Sequence, residues 1–482
     1  MEKLLIEKSQ KGRIGFTLPD LLIPDYSPEK VLPKEMLRET DPMLPEISEN
    51  EVARHFVRLS HLNYCIEEGL YPLGSCTMKY NPKVNERTAG LAGFADVHPS
   101  SKESNIQGAL EIMYGLGEDL KEITGLPGVS LQPAAGSQGE LTGILMFRAY
   151  HRDRNDLKRT KILIPDSAHG TNPASAAIGG FEIVSVKSND KGKVDVDDLA
   201  SKCDDTVAGF MLTNPNTLGL FEDEIVEIEK HIHGCGGLMY MDGANLNALL
   251  GLVRPGDMKF DCVHINLHKT FSTPHGGGGP GAGPVCVSDK LVPFLPVPQI
   301  EKDGDYFKIA EDKPKTIGKM HTYFGNFGVL VRAFTYIRMH GAKGLRRISE
   351  NAIINANYIA AQLKENYKFP YDEMGMHEFV MSGDNQKELG VTTKDIAKRL
   401  LDYGYHAPTV YFPLIVHEAM LVEPTETEAR ENLDAFAETM NKIAEEARTN
   451  PEIVTSAPHD TPVKRLNDAL AARKLNIRWG RE

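Results

Sequence analysis

Positive charge is in deficit in this chain. Its 54 Lys and Arg stand against 67 Asp and Glu, for a formal net charge of −13. Nucleic acid and anionic membranes select clustered basic residues, so neither is an expected partner. Cysteine is scarce too. The six cysteines, Cys65, Cys76, Cys203, Cys235, Cys262 and Cys286, include no C-x-x-C pair, which leaves neither a disulfide framework nor a zinc ribbon. His231, His233 and Cys235 in HIHGCGG come nearest to a metal cluster, but one-residue spacings suit no common zinc motif, and no metal is expected. No apolar run is long enough to cross a bilayer. The N-terminal MEKLLIEKSQKGR mixes both signs of charge and lacks the apolar core of a secretory signal. A cytoplasmic location is the expectation. Internal repeats and low-complexity tracts are missing as well.

What is present is ordinary in composition, at 41% hydrophobic and 25% charged, and long enough for two domains. Residues 1–95 are rich in proline and polar residues, with one amphipathic stretch near 49–69, and read as an N-terminal arm or cap. Over 96–310, helices alternate with short apolar runs. NIQGALEIMYGLGEDLKEITG and GSQGELTGILMFRAYHRDR have helical spacing, the second opening with Ser137 and Glu140 in capping-box register. KILIP, AGFMLT, GLMYMD, CVHINL and GPVCVS follow as continuous apolar strands. That alternation predicts an α/β domain whose mostly parallel sheet is covered on both faces. Residues 311–482 read as a smaller α+β domain: a long helix over 318–366, strand HEFVMSG, helix TTKDIAKRLLDYG, strands TVYFPL and AMLVEP, then a helix from Thr425 to about Arg448.

Ligands bind outside the carboxyl ends of the strands in open α/β sheets, and the strand ends here carry chemistry. KILIP runs into His169, AGFMLT ends in Thr213 and Asn214, GLMYMD ends in Asp242, and CVHINL delivers His268 and Lys269. Each has an ordinary alternative: a loop histidine, an Asn-Pro turn, a helix-capping aspartate, a surface lysine. Together they match the needs of pyridoxal phosphate. Its aldehyde condenses with a lysine amine, here Lys269. A carboxylate, Asp242, favours a protonated ring nitrogen. The flat His169 ring can cover one face, and small Ala244 leaves room on the other. Gly136, Ser137 and Gln138 in AAGSQGE offer backbone and side-chain donors for the phosphate at a helix start. The glycines after Lys269 fit G-x-G-x-x-G from Gly276 to Gly281. They follow a loop and precede a strand, so the dinucleotide reading fails, and close passage of backbone past a cofactor is the expectation.

PLGSCTMKYNP, FADVHP, SAHGTNPASA, DGANLNA, NLHKTFSTPHGGGGPG, FGNFGVLVRA and DYGYHAPTVYFPL…MLVEPTETE, spread from about residue 70 to 430, together resemble the P-protein family of the glycine cleavage system, glycine dehydrogenase (decarboxylating). The length is similar to that of the separate C-terminal-half chain, subunit 2. The resemblance implies an aspartate-aminotransferase-like, fold type I enzyme with pyridoxal phosphate on Lys269. It implies decarboxylation of glycine and transfer of the aminomethyl group to the lipoyl disulfide of the H-protein. A homologous subunit 1 and the T- and L-proteins are the implied partners. Serine hydroxymethyltransferase and cysteine desulfurase share the lysine and aspartate logic and stay open at this point, as does a non-catalytic scaffold, although that would be marked by loss of either residue. No arginine stands out for the glycine carboxylate. His98, His321, Tyr323 and Asn326 are candidates, and His417 has no assigned role.

Overall fold

The structure is a computed structural model that describes residues 2–477, except 21, 23, 25, 26, 41, 276–280 and 372. Residues 1–68 and 69–482 are two compact units. The first holds one α-helix, Glu49–Ser60, and among its described residues only Ile47 and His55 are buried. No helix among the described residues is long and apolar enough to cross a membrane.

The second unit is built on a seven-stranded sheet of order β1-β7-β6-β5-β4-β2-β3. Its strands are β1 (Gly128–Ser130), β2 (Lys161–Pro165), β3 (Glu182–Val186), β4 (Val207–Thr213), β5 (Leu238–Gly243), β6 (Cys262–Ile265) and β7 (Val285–Val287). The β3-β2-β4-β5-β6 run is parallel, and β7 is antiparallel to both its neighbours. Successive strand side chains point to opposite faces. Leu163, Phe210, Met239 and Met241 accordingly enter one core, and Ile162, Ile164, Met211 and Tyr240 the other. Both faces are covered, which is why these strands read as unbroken apolar runs. The strand order reverses beside β2, so the carboxyl ends of β2, β4, β5 and β6 surround one crevice.

A hairpin, β8 (Gln299–Asp303) and β9 (Tyr306–Ala310), and a three-stranded antiparallel sheet follow. The latter has the order β10-β12-β11, from β10 (Phe379–Ser382), β11 (Thr409–Val410) and β12 (Ala419–Val422). Helices Phe327–Leu363, Thr393–Asp402 and Arg430–Thr449 cover it with a third core. Several local expectations shift. The helix expected over 318–366 starts at Phe327 and breaks at Gly341, which has φ 60° and ψ −179°. The helix expected from Thr425 starts at Arg430. TVYFPL pairs only over two residues.

The capping box expected at Ser137 does not form. Helix Gly136–Asp153 has Ala135 as its N-cap, with no side-chain cap. Glu140 faces inward instead and accepts the hydroxyls of Thr171 (2.8 Å) and Ser175 (2.9 Å).

Candidate active site

Four carboxyl-end turns of the sheet and the start of helix Gly136–Asp153 enclose a cavity of about 250 Å³. Of the residues singled out in the sequence, Lys269, His169, Asp242, Ala244, Thr213, Gly136 and Ser137 line it. Lys269 sits on a short helical turn, Leu267–Thr270, just past β6. Its Nζ donates to the Ser75 carbonyl at 2.7 Å.

Asp242, next to last in β5, is 5% exposed. Its Oδ2 accepts from Asn172 Nδ2 and its Oδ1 from the Ala244 N–H, each at 3.0 Å. His264 Nε2 lies 3.4 Å from Oδ1. Burial opposes a charge here. His264, the two N–H donors and Lys269 outweigh it, and the carboxyl is held below its usual range. Glu140 goes the other way. Burial and then the Asp242 charge push it up to about 7. Two carboxyls share one low-dielectric wall, so the charge on one makes its neighbour harder to ionise.

His264 is fully buried, and its Nδ1 lies 2.7 Å from the Tyr240 hydroxyl. Because Nε2 faces the Asp242 carboxylate, the neutral ring keeps its proton there and its Nδ1 accepts the Tyr240 hydroxyl. His169 leaves β2 on its loop. Its Nδ1 accepts the Thr171 N–H at 3.2 Å, its ring meets Phe412 edge-on at 5.7 Å, and burial pushes its pKa down.

The residues present suit a phosphorylated, flat, cationic ring. Gly136 opens an eighteen-residue helix, and Gly136 and Ser137 line the cavity, which brings a helix N-terminus, a natural anion site, to its wall. A Cβ on Gly136 would lie 2.4 Å from Asn266 Oδ1, so this turn tolerates no side chain. Thr213 Oγ1 and Asn266 Oδ1 are buried without a protein partner, as groups reserved for a ligand are. Lys269 is the one lysine among the lining residues, and no arginine is among them. Glu140, Asp242 and His264 bring ligand-type atoms within 4.8 Å of one another, as do His377, Glu378 and Glu423. N–H and O–H donors already occupy those carboxyls.

Residues 348–465 match the family described as glycine dehydrogenase, C-terminal domain. The chain is 61% identical over 481 residues to a protein of Chlorobaculum tepidum named probable glycine dehydrogenase (decarboxylating) subunit 2, covering 99% of each. It is 60% identical over 477 residues to the protein of the same name from Pelodictyon phaeoclathratiforme, again 99% of each. The chain belongs to the glycine dehydrogenase (decarboxylating) subunit 2 family. Among solved structures, the fold is shared with an inhibitor-bound glycine decarboxylase (P-protein) of the glycine cleavage system. That match has a TM-score of 0.73 and 20% identity, covering 86% of this chain and 95% of that one. Glutamate decarboxylase of Lactobacillus brevis shares it at a TM-score of 0.66 and 15% identity, covering 88% and 97%. The fold is that of the type I pyridoxal phosphate enzymes.

In this member of the family, two of the expected cofactor residues lie differently from the rest. The Gln138 side chain is used up: its Oε1 accepts the Ala134 N–H at 2.6 Å and its Nε2 donates to the Met320 carbonyl at 2.7 Å. His268 is not among the lining residues; its ring meets that of His275 edge-on with centroids 5.3 Å apart, and burial pushes it down to about 3. The tetraglycine 276–279 lies outside the described residues. His98, His321, Tyr323 and Asn326 are not among the lining residues; His98 and Tyr323 meet edge-on at 6.1 Å, and Asn326 Nδ2 donates to the Gly281 carbonyl. His417 is exposed and pairs with Asp384. Ser75, Glu140, Thr217, His264, Asn266 and Glu378 line the site without having been singled out. Asn266 and His264 are one and three residues before Leu267 on the strand already flagged. Ser75 and Glu378 gave no local signal.

Proposed function

We propose that this chain is the pyridoxal-phosphate-bearing half of a glycine-decarboxylating enzyme, with the cofactor on Lys269. One observation carries the reading: a lysine amine and a buried, ionised aspartate, delivered by adjacent strands β6 and β5, face the same cavity opposite a helix N-terminus. The cofactor, when bound, supplies a sink for the electron pair left as carbon dioxide departs from glycine. Lys269 holds it covalently, and Asp242 keeps the ring nitrogen protonated. Ser137 and the first N–H groups of its helix take the phosphate. His169 covers one face of the ring, and Ala244 leaves space on the other. Tyr240 does not touch the reaction; its hydroxyl holds His264 with Nε2 turned to Asp242.

The remaining aminomethyl group passes to the lipoyl disulfide of an H-protein, with the T- and L-proteins completing the system in the cytoplasm. Residues 96–310 hold the cofactor, 311–482 close over it, and of 1–95 the stretch before Gly69 acts as an arm on a neighbouring subunit, the homologous subunit 1. Borohydride reduction of the reconstituted chain, followed by peptide mapping, is expected to place the pyridoxyl mass on the Lys269 peptide. Finding it on another lysine would overturn the reading. Exchange of labelled bicarbonate into glycine is expected to be weak with this chain alone and to rise sharply once subunit 1 and lipoylated H-protein are added.

A further inference from the structure

Residues 73–79 run through the site as a clamped ribbon. Leu73 bridges Val422, the Gly74 N–H donates to the Leu421 carbonyl, and Thr409 Oγ1 donates to the Gly74 carbonyl. Two residues beyond, the ribbon adopts backbone that side chains disfavour: Ser75 has φ 66° and Thr77 φ 42°. A left-handed non-glycine residue is strained and needs something to hold it. Two buried carboxyls flanking the small sheet do so. Glu423, just after β12, accepts the Thr77 N–H at 3.1 Å and its hydroxyl at 2.7 Å. Glu378, just before β10, accepts the Ser75 N–H at 2.7 Å through Oε2. On the other side of the same Ser75 Cα, its carbonyl receives Lys269 Nζ at 2.7 Å.

We infer that Glu378 is a positioning residue for Lys269, holding Ser75 left-handed so that its carbonyl aims and restrains the lysine amine. This rests on the reading of Lys269 as the cofactor lysine. The backbone of Glu378 is itself wedged in place. Its carbonyl lies 2.0 Å from where a Cβ on Gly219 would stand, on the loop that follows β4. The lysine from the large sheet and the carboxyl from the small one are therefore registered through one backbone residue of the ribbon.

The charges around Glu378 make this hold sensitive to pH. Glu423 repels its ionised form and Lys269 attracts it, with burial the larger influence, and the carboxyl is pushed up to about 8. His377 Nε2 lies 3.8 Å from Oε1, and burial pushes that imidazole down, toward its neutral form. Cys76 stands nearby as a thiol, pushed up by burial. Glu378 thus carries a proton at neutral pH. Its loss near pH 8 strengthens the bond from Ser75 and puts a negative charge beside Lys269.

The test reads the lysine itself. In the cofactor-free chain, trace acetylation of Lys269 across pH 6–10, followed by peptide mass spectrometry, is expected to show an inflection near 8 that Glu378→Gln removes. Exposed lysines elsewhere should be unaffected. Capture of pyridoxal phosphate, trapped with borohydride at timed intervals, is expected to slow roughly three- to tenfold in Glu378→Ala, the rate equivalent of one backbone hydrogen bond, whereas Glu378→Gln, whose amide oxygen still accepts the Ser75 N–H, is expected to capture like wild type at neutral pH. Ser75→Gly adopts the left-handed turn without strain, so joined to Glu378→Ala it is expected to restore most of the lost rate. An unchanged Lys269 profile in Glu378→Gln, or wild-type capture by a folded Glu378→Ala chain, overturns the inference. Should Glu378→Ala not fold, the Lys269 profile of Glu378→Gln decides alone. Absence of pyridoxyl on wild-type Lys269 would instead sink the functional reading, and the acetylation profile would still judge the link to Glu378.

Discussion

Asp242 and Glu140 are both buried carboxyls, and their partners move them in opposite directions, Asp242 below its usual range and Glu140 up to about 7. Asp242 has two N–H donors and an imidazole Nε2–H, all of which favour an anion. Glu140 has two hydroxyls, which can turn to suit either form, and a charged neighbour that disfavours its ionisation. Asp242→Asn keeps the shape and removes the charge. Cofactor should still be trapped on Lys269, while decarboxylation falls about ten- to a thousandfold, as the loss of an opposite charge beside a titrating nitrogen implies. Activity within twofold of wild type would show that this carboxylate does not face the ring. His169 makes a separate prediction. Replacement with Ala should weaken cofactor retention, and Phe, which keeps a flat face against Phe412, should retain more. Equal retention in Ala, Phe and wild type would reduce His169 to a loop residue.

At the scale of elements, the parallel strands were readable because burial on both faces leaves no polar positions to confuse the pattern. β4 and β5 are buried almost throughout. The strands that escaped notice had less to show. β1 is three residues long, and β3 is a sheet edge with Glu182, Ile183 and Ser185 exposed. The capping-box pattern at Ser137 misled because Glu140 found better partners on a neighbouring helix than at its own N-terminus. The loop after β4 joins the two sheets, and Gly219, with φ 80°, is its tightest point. Gly219→Ala should destabilise the chain by about 1–3 kcal/mol or more, through both the positive φ and the clash with the Glu378 carbonyl. Hydrogen exchange should rise first in residues 376–382. A melting temperature equal to wild type would mean the loop can yield.

Across the whole molecule, several buried acids bind protons in the fold that the unfolded chain has released. Burial pushes Glu140 and Glu222 up to about 7 and Glu378 up to about 8. A raised acid binds more protons folded than unfolded between its two pKa values, so stability falls as pH rises through that window. Buried histidines pushed down by desolvation, among them His264, His268, His275 and His377, act in the opposite sense. Their effect fades by about pH 7, as unfolded imidazole passes its own pKa near 6.5 and loses its proton. Between about pH 7 and 8 the acids dominate, and His233, raised chiefly by its bond to Asp261, adds to the same slope. The melting temperature of the cofactor-free chain should fall over that range, each acid contributing at most about 1.4 kcal/mol per pH unit. Glu222 lies away from the cavity, with its Oε2 on the Val194 N–H, so Glu222→Gln should flatten the slope without touching the site. A melting temperature that is level or rises with pH would refute this.

Which residues leave the carboxyl ends of the strands can be read along the chain. That information is local: an apolar run marks the strand, and the next residue is its end. Lys269, Asp242, His169 and Thr213 were legible for that reason, and the family motifs follow the same positions. What those residues meet is set by the packing of distant elements. Ser75 reaches Lys269 across 194 positions of chain and Glu378 across 303, separations over which no pattern of spacing survives. Protonation was equally beyond the sequence. Whether Glu140, Asp242 or Glu378 holds a charge depends on burial and on neighbours supplied by other elements, and both come into being only when the two sheets close around the same ribbon.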